Sequence, residues 1–358
     1  MPILQIFSKL NATFVIHPFP RELMLILHSL FLGQIQAKNF FSDSTSWFLL
    51  FINICFLIGG FFYFHHLSKR FTDENKKISD KLSERSHSVM MQKWDLERKN
   101  LSITQQNQEI LDSLHYAKNI QSAIMPHGDA IDKIFKDGFV LYLPKDIVSG
   151  DFYFLEELND HIYLAVADCT GHGVAGAFMS MVGTALLKQI ILQNKFTDPA
   201  KILNELNEGI VEALRQKVTS SHGGMDIAMC VINKNAMTLQ FAGANRPLHI
   251  VRNFETTLTK PDKLPIGGFT ADENRTFKSQ TIPLEKGDHI YLYSDGYADQ
   301  FGGMEGKKIM TKKFRELVQN IHQSPMKNQH ETLLNYFNNW KGRYEQVDDV
   351  LVIGVIVS

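Results

Sequence analysis

Residues 163–173 read YLAVADCTGHG, and the C-terminal region is organised around them. The apolar run YLAVA has the length and composition of a buried strand, and it leads directly to Asp168. A glycine-rich turn and a long apolar segment, residues 173–193, come next and predict a helix. Taken alone, an aspartate beside glycine at a strand end is most often a turn residue. Asp168 therefore indicates a functional site only if acids also stand at the ends of other apolar strands.

Three more places along the chain put acids at the ends of apolar strands. Asp295 follows the run IYLY, and Asp151 precedes the run FYF. Asp348 and Asp349 stand directly before the run VLVIGVIV. Crowded carboxylates repel each other unless a cation lies between them, and all-oxygen donor sets suit hard cations such as Mg²⁺ or Mn²⁺. The pattern favours two such ions about 3.5–4 Å apart, which would activate water for in-line attack on a phosphoryl group.

The surrounding pattern predicts an antiparallel α+β fold. Short alternating runs predict strands near residues 139–143, 152–157, 161–167, 225–232, 237–242, 247–252, 274–282, 288–294 and 350–357. Helices are predicted over residues 173–193, 199–217 and 312–341, the second with Asp198 as its N-cap. Two blocks of strands with helices between them, and no simple βα alternation, indicate a layered sheet-and-helix architecture.

Composition and missing motifs exclude several classes of protein. Lys and Arg total 37 against 38 for Asp and Glu, so the net charge is −1 and no nucleic-acid surface is indicated. Cys55, Cys169 and Cys230 lie far apart, which argues against a disulfide scaffold and favours a reducing compartment. Cys169 and His172 are not accompanied by a second Cys/His pair at zinc-ligand spacing, which argues against a zinc site. No GxSxG, HExxH or P-loop pattern occurs.

Residues 47–64 read WFLLFINICFLIGGFFYF and predict a transmembrane helix. The run approaches the ~20 apolar residues that span a bilayer, and Trp47 and Tyr63 suit its two interfaces. A buried core helix is the alternative. Lys and Arg cluster after the run, at residues 69–77, which places the C-terminal side in the cytoplasm. We therefore expect a protein of the cytoplasmic (inner) membrane with its catalytic domain inside the cell.

The N-terminal segment, residues 1–46, holds a second apolar stretch at residues 23–33 (LMLILHSLFLG). This stretch is only about half the length that spans a bilayer. It is either the core of a signal peptide, with Ala37 near the cleavage point, or a short first span. Both alternatives leave residue 65 onward inside the cell.

Residues 65–125 predict a helical stalk with a heptad repeat. One apolar position recurs every seven residues, at Leu82, Val89, Leu96, Ile103, Ile110, Ala117 and Ile124. The companion positions are mostly polar, as at Arg85 and Gln92, so half of a coiled-coil seam is missing. We expect a weak parallel homodimer, with a lone solvated spacer helix as the alternative. Strain in the stalk is expected to reach the predicted helix at residues 173–193 and to alter metal binding.

Beyond Pro126, short motifs follow one another in an order that resembles a known family. They are PKDIVSGDFY (144–153), ADCTGHG (167–173), GMD (224–226), AGANRP (242–247), LPIG (264–267), YSDG (293–296) and DD (348–349). Together they resemble the SpoIIE-type branch of the PPM family, the metal-dependent serine/threonine protein phosphatases. The resemblance runs from about residue 110 to the end, and we place the phosphatase domain at residues 126–358. So many ordered motifs make chance agreement improbable.

The resemblance implies a fold and a metal site. The fold is a central β-sandwich flanked by helices, in αββα layers, with two Mn²⁺ or Mg²⁺ ions at one edge. Carried over by motif, Asp168 bridges both ions and the main-chain carbonyl of Cys169 binds one of them. Asp151 acts mainly through metal-bound water. Asp295 and Asp348 complete the two coordination shells, and all four acids count as catalytic.

Other positions in these motifs carry less settled roles. Asp349 is the alternative to Asp348 as a metal ligand. Asn245 and Arg246 are the candidates for binding the substrate phosphate, since an arginine fork matches phosphate oxygens. Asp226 is read as a strand-start turn at least as readily as a catalytic residue.

The activity implied is hydrolysis of phosphoserine or phosphothreonine on a protein, by direct attack of a water that bridges the two metals. The substrate would be a phosphorylated protein, for which the resemblance suggests an anti-sigma-factor antagonist. One alternative is an inactive signalling adaptor that keeps the fold, although all four acids are intact. A metal-dependent nucleotide phosphodiesterase is the other, but no base-stacking pocket is evident.

Overall fold

The computed structural model describes residues 44–126, 130–219, 222–268 and 276–358. The chain divides into two compact units, Met1–Leu101 and Ser102–Ser358. The apolar stretch at residues 23–33, with its expected cleavage point, lies outside the described residues.

The first helix, α1 (Ser44–Ile124), contains both the apolar run and the predicted stalk. Proline is absent throughout it, and the side chains of residues 47–64 are largely exposed in the single chain. The heptad residues, among them Leu82, Val89 and Leu96, are exposed as well. The structure therefore confirms a long helix. Pairing of its stalk with a second copy of the chain stays a prediction.

Two antiparallel sheets form the centre of the second unit. Their strands are β1 (Gly138–Leu143), β2 (Asp151–Leu158), β3 (His161–Cys169), β4 (Gly224–Asn233), β5 (Thr238–Ala244), β6 (Leu248–Arg252), β7 (Glu255–Thr259), β8 (Ile266–Gly267), β9 (Gln280–Pro283), β10 (His289–Tyr293), β11 (Phe301–Gly302), β12 (Lys307–Lys308) and β13 (Val350–Ile356). One sheet has the order β1-β13-β10-β6-β7, and the other has the order β2-β3-β4-β5-β9 with β8 beside β4. Strands β11 and β12 form a separate small ribbon.

Helices cover both outer faces of this sandwich. The helices described in this unit are α2 (Ala130–Phe135), α3 (Gly173–Gln189), α4 (Pro199–Ala213), α5 (Gly296–Asp299), α6 (Thr311–Ile321) and α7 (Met326–Lys341). Helices α3 and α4 pack on the β2-to-β9 sheet, and α6 and α7 pack on the β1-to-β7 sheet. The αββα arrangement confirms the predicted fold class.

Each sheet is covered by the other sheet on one face and by helices on the other, so the central strands are apolar on both faces. In β3 the residues from Ile162 to Ala167 are all buried, and in β13 Val350 to Val355 are buried. Helix α3 lies close to β2 because most of the residues on its buried face are small, among them Gly176, Ala177 and Gly183. A Cβ on Gly183 would come within 2.9 Å of the Phe152 ring. This close approach brings the start of α3 to the end of the sandwich where the acids lie.

A second helix meets the length and composition of a membrane span, namely Gly173–Asn194, which comprises α3 and a π-helical turn. Half of its apolar window is buried inside the unit, whereas none of the corresponding window in Trp47–Ile124 is buried. The sandwich thus accounts for the apolar character of α3.

Several element boundaries differ from the sequence prediction. Of the strand predicted at residues 274–282, residues 274 and 275 lie outside the described residues and β9 begins at Gln280, while the helix predicted at residues 199–217 ends at Ala213. Strand β7 was not predicted, because the edge sequence ETTLT has no apolar alternation. Asp198 does cap α4, since its carboxylate accepts a hydrogen bond from the amide of Ala200 (3.0 Å). Local signals therefore located the buried elements better than the edges.

Candidate active site

Strand register places three acids side by side. Asp151 at the start of β2 is the partner of Asp168 in β3, and Asp168 is the partner of Asp226 in β4. Directly opposed residues in antiparallel strands project from the same face, with Cβ atoms roughly 4.5–5.5 Å apart. One face of one sheet therefore ends in a row of three carboxylates.

The other sheet contributes Asp295 and Asp348. Their strands, β10 and β13, are neighbours, and the amide of Ser294 donates to the carbonyl of Leu351 (2.9 Å). A Cβ at Gly296 would lie 1.9 Å from the carbonyl oxygen of Asp349, so only glycine permits this approach. Burial is the main reason that the pKa of Asp348 is raised, and repulsion from the neighbouring Asp295 adds to the rise.

Glycines pack three backbone segments tightly beside these acids. A Cβ on Gly150 would lie 2.6 Å from the carbonyl oxygen of Gly171, and one on Gly176 would lie 2.3 Å from the same atom. The start of β2, the turn after β3 and the first turns of α3 therefore meet backbone to backbone. Gly171 itself has φ +88°, a conformation that glycine adopts without strain.

Arg246 lies among the acids of both sheets. Its Nη2 is 2.7 Å from Asp168 Oδ2, 2.6 Å from Asp295 Oδ2 and 3.4 Å from Asp226 Oδ2. Asn245 adopts φ 57° in the turn after β5 and donates from Nδ2 to Asp226 Oδ1 (2.8 Å). The AGANRP segment thus turns two polar side chains onto the carboxylates.

Burial raises the pKa of two carboxylates of this site, Asp151 and Asp168. Desolvation, then the nearby Asp168 charge, holds the pKa of Asp151 well above its ordinary value, and Asp151 Oδ2 has no hydrogen-bond partner in the described part of the chain. Desolvation also raises the pKa of Asp168 to about 7, although Arg246 opposes the rise. Positive charge beside these oxygens would relieve both costs.

The donor set suits a hard divalent cation in kind. Aspartate oxygens match the preference of Mg²⁺ and Mn²⁺, and Asp151 Oδ2 is buried without a hydrogen-bond partner in the described part of the chain. Among the described residues, no three Asp, Glu, His or Cys side chains already converge on one point. Arg246 lies between Asp168 and Asp295, and main-chain carbonyls such as that of Cys169 are not side-chain donors. The residues therefore fit the ions once the arginine moves and water completes the shells.

Asp349 has a different environment from Asp348. Its carboxylate accepts the amide of Lys145 (2.7 Å) with one oxygen and the amide of Gly150 (2.7 Å) with the other. The residue is 2% exposed. Asp349 therefore braces the loop before β2, and both of its carboxylate oxygens already accept backbone hydrogen bonds.

The structure brings together the four predicted acids, Asp151, Asp168, Asp295 and Asp348, with Asn245 and Arg246 beside them. The Cys169 thiol is buried, and desolvation raises its pKa well above the ordinary value, so only its main chain is available to the site. Asp226 also belongs to the site, although sequence reasoning gave it no firm role. Asp226 lies beside Asp168 because of the register between β3 and β4, and this register cannot be read from the local sequence.

A sequence model of one family, described as Stage II sporulation protein E (SpoIIE), matches residues 159–357, which is more than half of the chain. The chain belongs to the SpoIIE family. This membership confirms the resemblance found in the sequence motifs.

Known relatives agree with this assignment. The phosphoserine phosphatase RsbU of Bacillus subtilis is 29% identical over 239 residues, which cover 62% of this chain and 66% of that protein, just short of two thirds of its length. The SiaA-PP2C domain of Pseudomonas aeruginosa is 30% identical with a TM-score of 0.64, covering 70% of this chain and 98% of that domain. The SpoIIE PP2C phosphatase domain structure from Bacillus subtilis matches at 18% identity and TM-score 0.50, over 62% of this chain and 63% of that one, and shares the fold.

Proposed function

We propose that this protein is a membrane-anchored serine/threonine protein phosphatase that uses two divalent ions, Mn²⁺ or Mg²⁺. The observation that supports it most directly is the meeting of acids from both sheets at one edge of the sandwich. Asp151, Asp168 and Asp226 lie in one row, Asp295 of the other sheet is joined to that row through Arg246, and Asp348 lies beside Gly296, the residue after Asp295. No single strand carries such a set.

Each residue has a stated task in this proposal. Asp168 would bridge the two ions, and Asp151, Asp295, Asp348 and the Cys169 carbonyl would complete their shells. When bound, the ions supply a nucleophilic water and offset phosphate charge. A Cβ at Gly171 would meet nothing within 4 Å, so the turn after β3 leaves room for a phosphate close to the backbone.

Arg246 and Asn245 are proposed to face the substrate phosphate. The guanidinium is 13% exposed, so it is reachable from the open edge of the site. A planar fork of donors matches two phosphate oxygens, and such charge-assisted hydrogen bonds are about twice as strong as neutral ones. Asn245 keeps Asp226 in place beside that fork.

A phosphorylated protein is the proposed substrate, with an anti-sigma-factor antagonist as the candidate. The similarity to RsbU, a phosphoserine phosphatase, supports phosphoserine as the group removed. Nucleic acid is not a proposed partner, since the net charge is −1.

The proposed anchor is the run at residues 47–64, with the catalytic unit in the cytoplasm. Its support is the exposed apolar surface, including Phe48 and Phe56, and the basic residues that follow. Resistance to carbonate extraction tests the anchor. Dimerisation through the stalk is tested with single cysteines at Leu96 and Ile103, in a chain whose Cys55 is replaced by serine. Absence of a cross-linked dimer in membranes would leave the spacer-helix alternative.

Hydrolysis of a phosphoserine peptide and of an aryl phosphate by the purified chain, with Mn²⁺ or with chelator, tests the activity. We expect metal-dependent turnover that Asp168→Asn and Asp295→Asn each abolish. Asp160→Asn is the matched control, because Asp160 is exposed in the hairpin turn between β2 and β3. Equal turnover in all four proteins would contradict the assigned site. No turnover by folded wild-type protein that also fails to bind Mn²⁺ would favour the adaptor.

A further inference from the structure

Arg246 is held by charge more than by a full set of hydrogen bonds. Arginine offers five N–H donors, yet its contacts with Asp168, Asp295 and Asp226 all run through Nη2. Its Nε is buried and has no hydrogen-bond partner in the described part of the chain. A buried donor without a partner carries a desolvation cost, so this position is not the best available to the guanidinium.

The two shortest contacts of Arg246 use oxygens that a divalent ion would also need. Asp168 Oδ2 and Asp295 Oδ2 are 2.7 Å and 2.6 Å from the same nitrogen, which therefore lies between the acids of the two sheets. An ion shared by these carboxylates would lie close to that nitrogen. Two cations so close repel each other strongly at a site with little solvent. The guanidinium and the ion are thus competitors for one pair of acids.

Asp226 offers the guanidinium an alternative partner. Its Oδ2 is 3.4 Å from Nη2, and its other oxygen is held by Asn245 (2.8 Å). It lies next to Asp168 in the row of acids, so a small rotation of the arginine side chain keeps one ion pair while leaving two acids free. The exchange therefore needs no unpaired buried charge.

We propose that Arg246 is a resident counter-ion of the acids, which competes with divalent cations and so sets the metal concentration at which the site fills. Metal binding shifts the guanidinium from Asp168 and Asp295 towards Asp226. This inference rests on the proposed metal-dependent function, and it concerns how tightly the chain holds the ions rather than whether it uses them.

Mn²⁺ binding to the full chain in detergent, measured by calorimetry without substrate, tests the competition. Arg246→Gln removes the positive charge, and we expect Mn²⁺ to bind roughly tenfold more tightly, a change of about 1.4 kcal/mol. The thermal midpoint in chelator should fall, because the acids then repel each other without a counter-ion. Arg252→Gln is the control, since Arg252 pairs with Asp288 (2.6 Å), which lies just before β10 whereas Asp295 lies just after it. It should leave the Mn²⁺ affinity unchanged.

Unchanged or weaker Mn²⁺ binding by folded Arg246→Gln would overturn the inference. If that variant does not fold, Arg246→Lys replaces it, because a shorter ammonium group holds the two acids less closely. Mn²⁺ must then bind more tightly by a smaller factor, and an unchanged affinity would overturn the inference. Wild-type protein that binds no Mn²⁺ at all would instead remove the proposed function, so the two failures are distinguishable.

Discussion

Gln121 ties the last turn of α1 to the loop that carries Asp151. Its Nε2 donates to the carbonyl of Ser149 (2.6 Å) and to Ser180 Oγ in α3 (2.8 Å), and its Oε1 accepts the amide of Ser149 (3.2 Å). The side chain is 4% exposed. Gln121→Leu keeps the volume of the side chain and removes all three hydrogen bonds.

The expected loss of stability follows from the backbone groups of Ser149 that lose their hydrogen-bond partner. The amide of Ser149 would lose its partner, and its carbonyl would keep only the long contact from Ser180 Oγ (3.4 Å). A buried polar group without a partner costs about 1–3 kcal/mol. Because the carbonyl keeps part of its bonding, we expect Gln121→Leu to lower the free energy of unfolding by about 2–4 kcal/mol.

Urea unfolding of residues 102–358 measures this change, with the fluorescence of Trp340, the only tryptophan of that fragment, as the probe. Gln108→Leu is the matched control. Gln108 lies on the same helix and donates to Asp112 (2.9 Å), but the pair is exposed. Such a surface change should stay within about 0.5 kcal/mol of wild type.

Activity provides a second readout of the same variant. Ser149 Oγ accepts the amide of Asp151 (3.0 Å), so a loosened Ser149 should raise the Mn²⁺ concentration that half-activates the enzyme. Equal stability of the Gln121 and Gln108 variants would refute the packing argument. Lower stability with an unchanged Mn²⁺ requirement would show that strain in the stalk does not reach the acids through Gln121.

Two further predictions concern the close backbone contact and a buried histidine. Gly296→Ala should cost more stability than Gly209→Ala in urea unfolding, because its Cβ would meet the Asp349 carbonyl oxygen at 1.9 Å whereas a Cβ at Gly209, inside α4, would come only to 3.2 Å from the Leu186 side chain; equal losses would show that the contact relaxes freely. Burial, with a smaller effect of Arg315, lowers the pKa of His249 from 6.5 to about 4, so its contribution to stability is present above pH 6.5 and is lost as the pH falls towards 4. Between pH 6.5 and 4, the free energy of unfolding of His249→Leu should therefore fall by up to about 3 kcal/mol less than that of the wild type. Equal pH dependence of the two proteins in urea unfolding would contradict the lowered pKa of His249.

Local sequence patterns predicted the buried elements and the four acids. An apolar run such as YLAVA or VLVIGVIV cannot be solvated, so its position as a covered central strand follows from composition alone. The acids Asp151, Asp168, Asp295 and Asp348 stand next to such runs, which made them visible. Strand β7 was missed for the converse reason, since an edge strand with one exposed face carries little apolar signal.

The sequence by itself thus determined that the chain has a long helix, a covered sandwich and acids at strand ends, because each of these is written in a few consecutive residues. Only the tertiary structure decided that Asp226 adjoins Asp168, that Arg246 lies between two sheets and that Asp349 braces a loop. Those facts depend on strand register and on contacts between residues far apart in the chain. A shift of one residue in register would turn each side chain to the opposite face, and local composition does not fix that choice.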